Sequence, residues 1–405
     1  MKTKHTSLFI LFLLANINIV NAQWNSQTGN TSEDLHDTYF VNTSLGFAVG
    51  DNGVILKTTN GGTNWSSVSS SVTKNLNSIF FSSSLTGYIA GDDSTVLKTT
   101  DGGNNWTVKT SGTNAALLNS ISFVDDNTGV AVGDNGLIIR TVDGGSNWSV
   151  IPSPTVFILH AVQFTSATIG YVIGANGTVL KTTDAGQNWI PENPFTTKSL
   201  YGINFLTDSV GYVTGTNGGV FKTIDGGATW TDITTIKVPN EWLRTIECPF
   251  DGICYAAGNN GLILKCFSDT IWSVLPSNAS ANIYSLSMLN LDTGYAAGIG
   301  GLILKTVNSG GNAVDENYSD ENINMNIFPN PSADITTVSY NLQSRTHVTL
   351  EVYNLLGERM QTVFSNEEQT TGNHSFNLNL HQQGIYILKL TLNNNTFFHR
   401  VVVAI

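Results

Sequence analysis

The stretch GVAVGDNGLIIRTVDGGSNW, residues 129–148, decides the fold, because most of the chain consists of copies of it. It contains an alternating apolar segment, the turn GDNG, a second apolar segment and the motif Thr-x-Asp-Gly-Gly-x-Asn-Trp. Apolar alternation between glycine-rich turns is typical of short antiparallel strands joined by hairpins. The stretch therefore predicts two strands, two tight turns and the start of a further strand.

Copies of this stretch recur at intervals of 40–43 residues, and a period near 40 built from strands and turns is typical of a four-stranded propeller blade. Each unit begins with an apolar segment such as LNSIFF at 76–81, which we assign to the innermost strand. The GYxxG segment, the VLKT segment and the segment after Trp then supply the other three. We predict an all-β chain with a seven-bladed β-propeller at residues 23–312. The second glycine of the GYxxG segment marks the seven copies at Gly50, Gly91, Gly133, Gly174, Gly215, Gly258 and Gly298.

The tryptophans predict how the ring closes. Trp24 has no turn motif before it, and the last repeat, which ends NSGGN at 308–312, has no Trp after it. We expect the strand near Trp24 to complete the sheet begun by residues 283–307, which leaves no free inner edge to aggregate. The regularly spaced residues are Trp24, Trp65, Trp106, Trp148, Trp189, Trp230 and Trp272.

Composition restricts the partners and the cellular location. The chain has 405 residues, of which 12% are charged, and a net charge of -12, so nucleic acid and anionic membrane surfaces are disfavoured as partners. Residues 1–22 have the pattern of a secretory signal peptide: Lys2 and Lys4, then an apolar segment, then small residues. No later segment has the length of a transmembrane helix. We therefore expect an exported protein.

Three cysteines, Cys248, Cys254 and Cys266, all lie in the sixth repeat. Cys248 and Cys254 flank the turn PFDGI, whereas Cys254 and Cys266 flank the GNNG hairpin, so either pair is able to form a disulfide. Three buried thiols without a bridge are the third alternative. Because no spacing in the chain is typical of metal ligands, we predict neither a metal nor a cofactor.

The Thr-x-Asp-Gly-Gly-x-Asn-Trp turns resemble the Asp-box repeats of bacterial neuraminidases. The repeat as a whole is similar to the propellers of photosystem II stability and assembly factors, and this resemblance implies that the turns lie opposite the usual binding mouth. We interpret the motif as structural, because the Asp accepts backbone N–H groups, Gly adopts positive φ and Trp fills the space between blades. The copies are TTNGGTNW at 58–65, TTDGGNNW at 99–106, TVDGGSNW at 141–148, TTDAGQNW at 182–189 and TIDGGATW at 223–230.

The last 79 residues, 327–405, abandon the repeat after an acidic linker at 313–326. Their short strands and turns predict a small Ig-like β-sandwich. The segments FPNPSAD at 328–334 and VYNLLGE at 352–358, the Gly384/Tyr386 pair and the terminal valines resemble the type A C-terminal sorting domain of the type IX secretion system of Bacteroidetes. The resemblance implies contact with that secretion machinery, removal of the tail, and release or surface attachment.

One basic residue ends the third strand of every blade. A cationic ring for an anionic ligand is one interpretation. We favour a structural role in which the basic residue offsets the Asp three positions later, in the pairs Lys98/Asp101, Arg140/Asp143, Lys181/Asp184 and Lys222/Asp225. The seven are Lys57, Lys98, Arg140, Lys181, Lys222, Lys265 and Lys305.

The second residue of each innermost strand is variable between near-identical neighbours, as expected of a ligand surface on a repeat scaffold. These residues are His36, Asn77, Asn119, His160, Tyr201, Arg244 and Tyr284. Trp242, in the loop VPNEWLR at 238–244, breaks the Trp periodicity beside one of them. We predict a binding site at the mouth formed by His36, His160, Tyr201, Trp242, Arg244 and Tyr284. Solvated channel residues without a ligand are the alternative.

Catalysis is disfavoured but not set aside. A sialidase needs three arginines to hold the substrate carboxylate, and the propeller contains Arg140 and Arg244 alone. A glycosidase with two carboxylates across the mouth is the competing hypothesis, with Glu33, Asp34, Asp37 and Glu241 as candidates. Our leading hypothesis is a non-catalytic exported propeller that binds an extracellular protein or glycan, and we assign no catalytic residue. A purely structural surface protein is the third alternative.

Overall fold

The computed structural model describes residues 24–113, 116–235, 238, 240–250, 252–266, 272–307, 325–329, 335–354, 359–380, 384–392 and 395–403. The predicted signal peptide and residues 313–324 of the predicted linker lie outside them. The same is true of 267–271 and 308–312, where the sequences of the last two repeats depart from the Asp-box motif.

Residues 25–306 form seven four-stranded antiparallel sheets, so the predicted number of blades is confirmed. Blades 1 to 6 contain β2–β5, β6–β9, β10–β13, β14–β17, β18–β21 and β22–β25, each in chain order from the innermost strand outward. The strands are β1 (Asn25–Gln27), β2 (Leu35–Phe40), β3 (Gly46–Gly50), β4 (Ile55–Thr58), β5 (Ser66–Val68), β6 (Leu76–Phe81), β7 (Gly87–Gly91), β8 (Thr95–Thr99), β9 (Thr107–Thr110), β10 (Leu118–Phe123), β11 (Gly129–Gly133), β12 (Ile138–Thr141), β13 (Ser149–Ile151), β14 (Leu159–Phe164), β15 (Gly170–Gly174), β16 (Val179–Thr182), β17 (Ile190–Pro191), β18 (Leu200–Phe205), β19 (Gly211–Gly215), β20 (Val220–Thr223), β21 (Thr231–Asp232), β22 (Leu243–Phe250), β23 (Ile253–Gly258), β24 (Ile263–Cys266), β25 (Trp272–Leu275), β26 (Ile283–Met288), β27 (Gly294–Gly298) and β28 (Leu302–Thr306).

The second strand of each blade shows why its sequence begins and ends with glycine. All five residues of β11 are buried, because both faces of a blade pack against neighbouring blades. A Cβ atom on Gly129 would lie 2.5 Å from the ring of Phe123, and one on Gly133 would lie 1.8 Å from the carbonyl oxygen of Leu117. Both glycines therefore allow the second strand to approach the first.

Blade 7 closes the ring as the tryptophan pattern predicted. It contains β26, β27 and β28 from the end of the propeller and β1 from its beginning. Strand β1 pairs antiparallel with β28, and Asn25 lies opposite Lys305. Trp24 is 1% exposed and packs with this blade.

The Asp-box turns are stabilised as the motif predicted. In the second repeat, Asp101 Oδ1 accepts backbone N–H bonds from Asn104 and Asn105, both at 3.0 Å. Gly102 and Gly103 adopt φ values of 68° and 71°. In the first repeat, Oδ1 of Asn60 accepts the N–H of Asn64 at 2.9 Å. Asn therefore replaces Asp here without loss of the acceptor.

The ring of basic residues has a structural role that differs from the predicted one. Lys98 Nζ donates to the carbonyl oxygen of Gly144, in the Asp-box turn of the next blade, at 2.8 Å. The same ammonium lies 5.2 Å from the ring centroid of Tyr88. These bonds link consecutive blades, whereas the prediction paired four of the cations, Lys98 among them, with an Asp of their own blade. Equivalent bonds to the next blade are made by Lys57, Arg140, Lys181 and Lys305.

Of the three alternatives for the cysteines, the structure has the disulfide between Cys248 and Cys254. Cys248 and Cys254 form a disulfide across the hairpin between β22 and β23, with Cα atoms 4.0 Å apart. Cys266 is buried in the adjacent strand β24 and is not part of this bridge.

The C-terminal segment forms two further sheets, of order β29-β30-β33 and β32-β31-β34-β35. Buried residues from both sheets, including Val338, Tyr340, Leu350 and Leu388, form one core, as in the predicted β-sandwich. No helix within the described ranges has the length and hydropathy needed to cross a membrane. The strands are β29 (Asn326–Phe328), β30 (Ile335–Leu342), β31 (Thr346–Asn354), β32 (Arg359–Gln369), β33 (Gly372–Asn379), β34 (Gly384–Leu392) and β35 (Asn395–Val403).

Candidate functional site

The antiparallel order of each blade separates two faces of the propeller. The innermost strands begin at the face that also carries the turns between second and third strands, which we call the mouth. The Asp-box turns connect third to fourth strands and so lie on the opposite face. Six of the mouth turns are short 3-10 segments, at Asp51–Gly53, Asp134–Gly136, Ala175–Gly177, Thr216–Gly218, Asn259–Gly261 and Ile299–Gly301.

The six predicted binding residues form one continuous group, which we call the mouth cluster. His160 contacts Tyr201 with ring centroids 4.4 Å apart, and Tyr201 stacks on Trp242 at 5.5 Å. Tyr284 stacks on His36, also at 5.5 Å. Arg244 lies between these two aromatic groups. The structure therefore brings together residues from blades 4, 5, 6, 7 and 1.

Arg244 is surrounded by three rings. Its guanidinium carbon lies 4.9 Å from the centroid of Tyr284, 5.2 Å from Trp242 and 5.8 Å from Tyr201. Its Nε donates to Oδ1 of Asn259 at 2.9 Å, which is the one hydrogen bond of this guanidinium to the described residues. A guanidinium carries five N–H donors, so its terminal nitrogens remain available for a carboxylate or another acceptor.

The two histidines of the cluster differ in their surroundings. Burial, together with the nearby Arg244, lowers the pKa of His160 to about 4, so its imidazole is neutral near pH 7. His36 Nε2 lies 2.7 Å from Oδ1 of Asp51. Burial also raises the pKa of Tyr201, which keeps its hydroxyl protonated. The cluster therefore offers aromatic faces around a single permanent cation, Arg244.

The remaining two residues of the variable position are structural. Asn77 Nδ2 donates to Oδ1 of Asp92 in its own blade and to the carbonyl oxygen of Leu118 in the next. Asn119 repeats this arrangement with Asp134 and Leu159. In blades 2 and 3 the second residue is therefore an Asn that links two blades. In the other five blades it belongs to the mouth cluster.

A second variable position surrounds the mouth, and of its seven residues the sequence analysis singled out only Trp242 and Asp34. We call the residue immediately before each innermost strand the rim position. In blade 2, Oδ1 of Asn75 accepts the N–H of Asn52 from the preceding blade at 3.2 Å. Asp34 and Asn282 accept equivalent N–H groups at 2.8 and 3.0 Å. The seven rim residues are Asp34, Asn75, Leu117, Ile158, Ser199, Trp242 and Asn282.

The channel contains an acidic residue that was not among the predicted candidates. Glu247 is the fifth residue of innermost strand β22, and burial, assisted by the charge of Asp37, raises its pKa to about 8. Burial also raises the pKa of Asp37, although Asp37 accepts bonds from Ile79 N, Thr38 N and Ser285 Oγ. Comparison of the fifth residues across the repeats would have found Glu247, because it is the one carboxylate in that series.

The other predicted carboxylates are engaged in structural bonds. Glu33 accepts from the side-chain amide of Asn52 at 2.7 Å, and Glu241 accepts from that of Asn260 at 3.1 and 3.2 Å. Asp34 is the rim acceptor already described. In the part of the chain that the structure describes, no three His, Cys, Asp or Glu side chains are grouped as metal ligands.

Two family models match the chain. The model described as Photosynthesis system II assembly factor YCF48 matches residues 17–109 and 63–157, which lie in the first repeats. The model described as Secretion system C-terminal sorting domain matches residues 326–404. A sorting domain of this kind indicates a secreted or cell-surface protein that interacts with the secretion machinery.

Solved structures with the same fold are propellers. A structure titled YCF48 bound to D1 peptide is 20% identical, with a TM-score of 0.59, and covers 73% of this chain and 99% of its own. YCF48 from Cyanidioschyzon merolae is also 20% identical, with a TM-score of 0.60 and coverages of 70% and 99%. The WD40 propeller domain of Doa1 is 11% identical, with a TM-score of 0.57 and coverages of 70% and 96%.

A curated relative aligns over a short stretch. It is the endo-acting ulvan lyase of Formosa agariphila (strain DSM 15362 / KCTC 12365 / LMG 23005 / KMM 3901 / M-2Alg 35-1), which is 31% identical over 96 residues. The alignment covers 23% of this chain and spans 18% of the length of the enzyme. The family models and the propeller structures confirm the resemblances drawn from the repeats and the tail. The chain is thus a seven-bladed Asp-box propeller similar to the YCF48 family, followed by a type IX sorting domain.

Proposed function

We propose that this protein is a non-catalytic, exported propeller that binds an extracellular protein or glycan through the mouth cluster. The observation that carries the proposal is the position of Arg244, whose guanidinium lies among three aromatic rings with its terminal nitrogens available. Tyr, Trp and Arg are the residue types that most often dominate binding energies at interfaces. Their grouping on one arc of a repeat scaffold supports a binding role.

Both ligand classes are compatible with this chemistry. Aromatic faces stack on the apolar faces of sugars and of side chains. A guanidinium binds a carboxylate through two parallel, bidentate hydrogen bonds. The similar propeller structure with a bound D1 peptide supports a peptide ligand. The ulvan lyase, an enzyme that by its name acts on a polysaccharide, supports keeping glycans in the test.

A binding screen of the full-length chain tests the proposal. The probes are an array of extracellular glycans and a phage-displayed random peptide library. For the best ligand, Arg244→Ala and Trp242→Ala should each weaken binding by about 10-fold or more, because charge-assisted bonds and aromatic anchors are among the strongest contacts. Lys74→Ala is the matched control, because Lys74 is a cation on the other half of the mouth, where it pairs with Asp93. Binding that neither mouth substitution weakens would discard the site.

A carbohydrate-active hydrolase is the second candidate, and the raised pKa of Glu247 is what favours it. A carboxylic acid that stays protonated near pH 7 is suited to protonate a glycosidic oxygen, and Asp37 would be the second carboxylate. Sugar release from a polysaccharide substrate that Glu247→Gln abolishes and Glu241→Gln preserves would support this candidate. Release unaffected by Glu247→Gln would exclude the pair.

The proposed export route includes two processing steps. Removal of residues 1–22 would leave Gln23 as the first residue, and cleavage between the propeller and residues 327–405 would release the mature propeller or leave it attached to the surface. Intact-mass measurement of the protein from the culture medium and from the cell surface tests both steps. A secreted product that retains residues 327–405 would contradict the second.

A further inference from the structure

The rim position divides the mouth into a hydrogen-bonded part and an apolar part. In blades 1, 2 and 7 the rim residue accepts an N–H group from the preceding blade. In blades 3, 4 and 6 the same place is occupied by Leu117, Ile158 and Trp242, whose side chains have no oxygen to accept that bond. They are instead 40%, 38% and 38% exposed. At these three places an exposed apolar side chain therefore replaces the side-chain hydrogen bond between blades, and in blades 3 and 6 the carbonyl oxygens of Ala116 and Glu241 accept the N–H groups of the preceding turn instead.

The loop before β14 extends the apolar part. Val156 and Phe157 are 79% and 45% exposed, and together with Leu117 and Ile158 they form what we call the apolar rim. Blades 3 and 4 are neighbours, so Leu117 and Ile158 immediately precede two adjacent innermost strands. The apolar rim borders His160 and so continues into the mouth cluster. Several large exposed apolar side chains on neighbouring blades of one face are typical of a protein-binding site.

The backbone of this loop is held in place although its side chains are exposed. Ser153 Oγ donates to the carbonyl oxygen of Thr155 at 3.2 Å, and Thr155 Oγ1 accepts the N–H of Phe157 at 3.1 Å. The Thr155 carbonyl also packs so closely on Gly136 that a Cβ atom there would lie 2.0 Å from it. An apolar surface on a fixed backbone loses little conformational entropy on binding.

Charge determines which ligand suits the two surfaces together. Arg244 is the one lysine or arginine of the mouth cluster, and Lys74 and Lys198 are the other two on the mouth face among the described residues. The carboxylates of Asp51, Asp134 and Glu241 lie on the same face, which also carries Glu33, Asp34, Asp92 and Asp93, and the chain has a net charge of -12. Because exposed charges act over about 8–10 Å at ordinary ionic strength, this excess of carboxylates repels a polyanion such as a sulfated glycan. A ligand with a single carboxylate and apolar groups is complementary.

We infer that the apolar rim and the mouth cluster together bind an extended peptide segment of another protein, which places aliphatic or aromatic side chains on the rim and one carboxylate against Arg244. The inference rests on the proposed function and selects protein over glycan as the ligand class. Its particular claim is that the apolar side chains of the rim, which accept no hydrogen bond from another blade, supply the specificity for apolar side chains of the peptide.

The test uses the full-length chain and a phage-displayed random dodecapeptide library. Selected peptides are synthesised with a free or an amidated C-terminus, and with any Asp or Glu changed to Asn or Gln, which distinguishes a terminal from a side-chain carboxylate. We expect Leu, Ile, Val or Phe to be enriched beside one carboxylate. The combined change Leu117→Asn and Ile158→Asn should weaken these peptides by about 10-fold or more, because two apolar contacts are lost.

These asparagines are chosen because the chain already uses Asn at the rim in blades 2 and 7. The double variant should therefore melt no earlier than the unmodified chain. Val156→Ser with Phe157→Ser is a second, independent variant in the exposed loop, and it should weaken the peptides in the same direction. Leu85→Ser is the matched control, because Leu85 is a 58% exposed apolar residue in a loop on the Asp-box face.

The outcomes separate this inference from the proposed function. Peptides weakened by Arg244→Ala and by both rim variants, and not by Leu85→Ser, support both. Peptides weakened by Arg244→Ala alone leave the proposed function standing and overturn the apolar rim. A uronic-acid oligosaccharide that binds through Arg244, when no peptide is selected, overturns the inference in favour of a glycan. Ligands whose affinity is unchanged by Arg244→Ala, by Trp242→Ala and by both rim variants overturn the inference and the proposed function together.

Discussion

The two faces of the propeller differ in how regularly the same contacts recur from blade to blade. On the Asp-box face the five described Asp-box turns keep the same contacts: each holds its own backbone, and one of its carbonyl oxygens accepts a hydrogen bond from a basic residue of the preceding blade, as Gly144 does from Lys98. On the mouth face the rim acceptor is kept in blades 7, 1 and 2, whereas Leu117, Ile158 and Trp242 replace it in blades 3, 4 and 6. The regular contacts link and stabilise the blades, and the interruption on the mouth face is the reason that we propose a binding surface there.

The largest expected effect compares two tryptophans. Trp24→Ala should lower the free energy of unfolding by about 3–5 kcal/mol, because Trp24 is buried in the blade that closes the ring. Trp242→Ala should cost about 1 kcal/mol or less, because that side chain is 38% exposed and stacks mainly on Tyr201. Chemical denaturation of both variants measures the difference. Equal losses would mean that the mouth tryptophan is structural and would remove the contrast between the faces.

The closing strand offers a further comparison. Deletion of residues 23–30 removes Trp24 and all of β1, which pairs with β28. We expect blade 7 to lose more protection from amide hydrogen exchange than blade 3, because only blade 7 is built from both ends of the propeller. Unchanged melting of this truncation would contradict closure by β1.

The sequence predicted the features that repetition makes visible. The count of seven blades, the strand order and the pairing of β1 with β28 followed from Gly and Trp spacing alone, because each reflects a contact made in every blade. The mouth cluster was also predicted, since innermost strands surround one channel and the variation at their second residue is visible in the alignment of the repeats.

Features that depend on distances between blades could not be predicted in this way. Lys98 was paired with Asp101 because they are close in sequence, yet its acceptor, Gly144, lies 46 residues away in the next blade. The cysteine pairing stayed open, because both hairpins place two cysteines at comparable separations. Glu247 was missed, since its shifted pKa arises from burial and from Asp37, which lies in a blade that is distant in sequence.

An effect of intermediate size is expected from Glu247, the acidic residue of the channel, on the pH dependence of stability. A carboxyl group whose pKa is raised by folding favours the unfolded state once it ionises, so the contribution of Glu247 is complete below its ordinary pKa of 4.5 and is lost as the pH rises towards 8. The full shift corresponds to about 3–4 kcal/mol between pH 5 and pH 8. Because Glu247 is only partly buried and solvent screens its charge, we expect the free energy of unfolding to fall by roughly 1–2 kcal/mol on this account. Glu247→Gln should flatten this slope in urea titrations.

Asp51→Asn is the control for that titration, because Asp51 is an acidic residue of the mouth outside the channel, paired with His36. It should leave the slope between pH 6.5 and pH 8 in place. A slope that persists in Glu247→Gln would show that this carboxyl is ionised in the folded protein. That result would also remove the observation that favours a hydrolase.

The smallest effect is expected from a single Asp-box turn. Hydrogen bonds from the side chain and backbone of Asn147 lower the pKa of Asp143 to about 2, so its stabilising contribution is complete above pH 3.8 and is lost as the pH falls towards 2. Asp143→Ala should lower the melting temperature at pH 7 by a few degrees at most, since the turn is exposed and is one of several similar turns. Asp143→Asn should melt close to the unmodified chain at pH 7, because Asn60 already supplies the same acceptor in the first repeat. Its melting temperature should also depend less on pH below 3.8. An Asn variant as unstable as the Ala variant would show that the negative charge, rather than the Oδ1 acceptor, stabilises these turns.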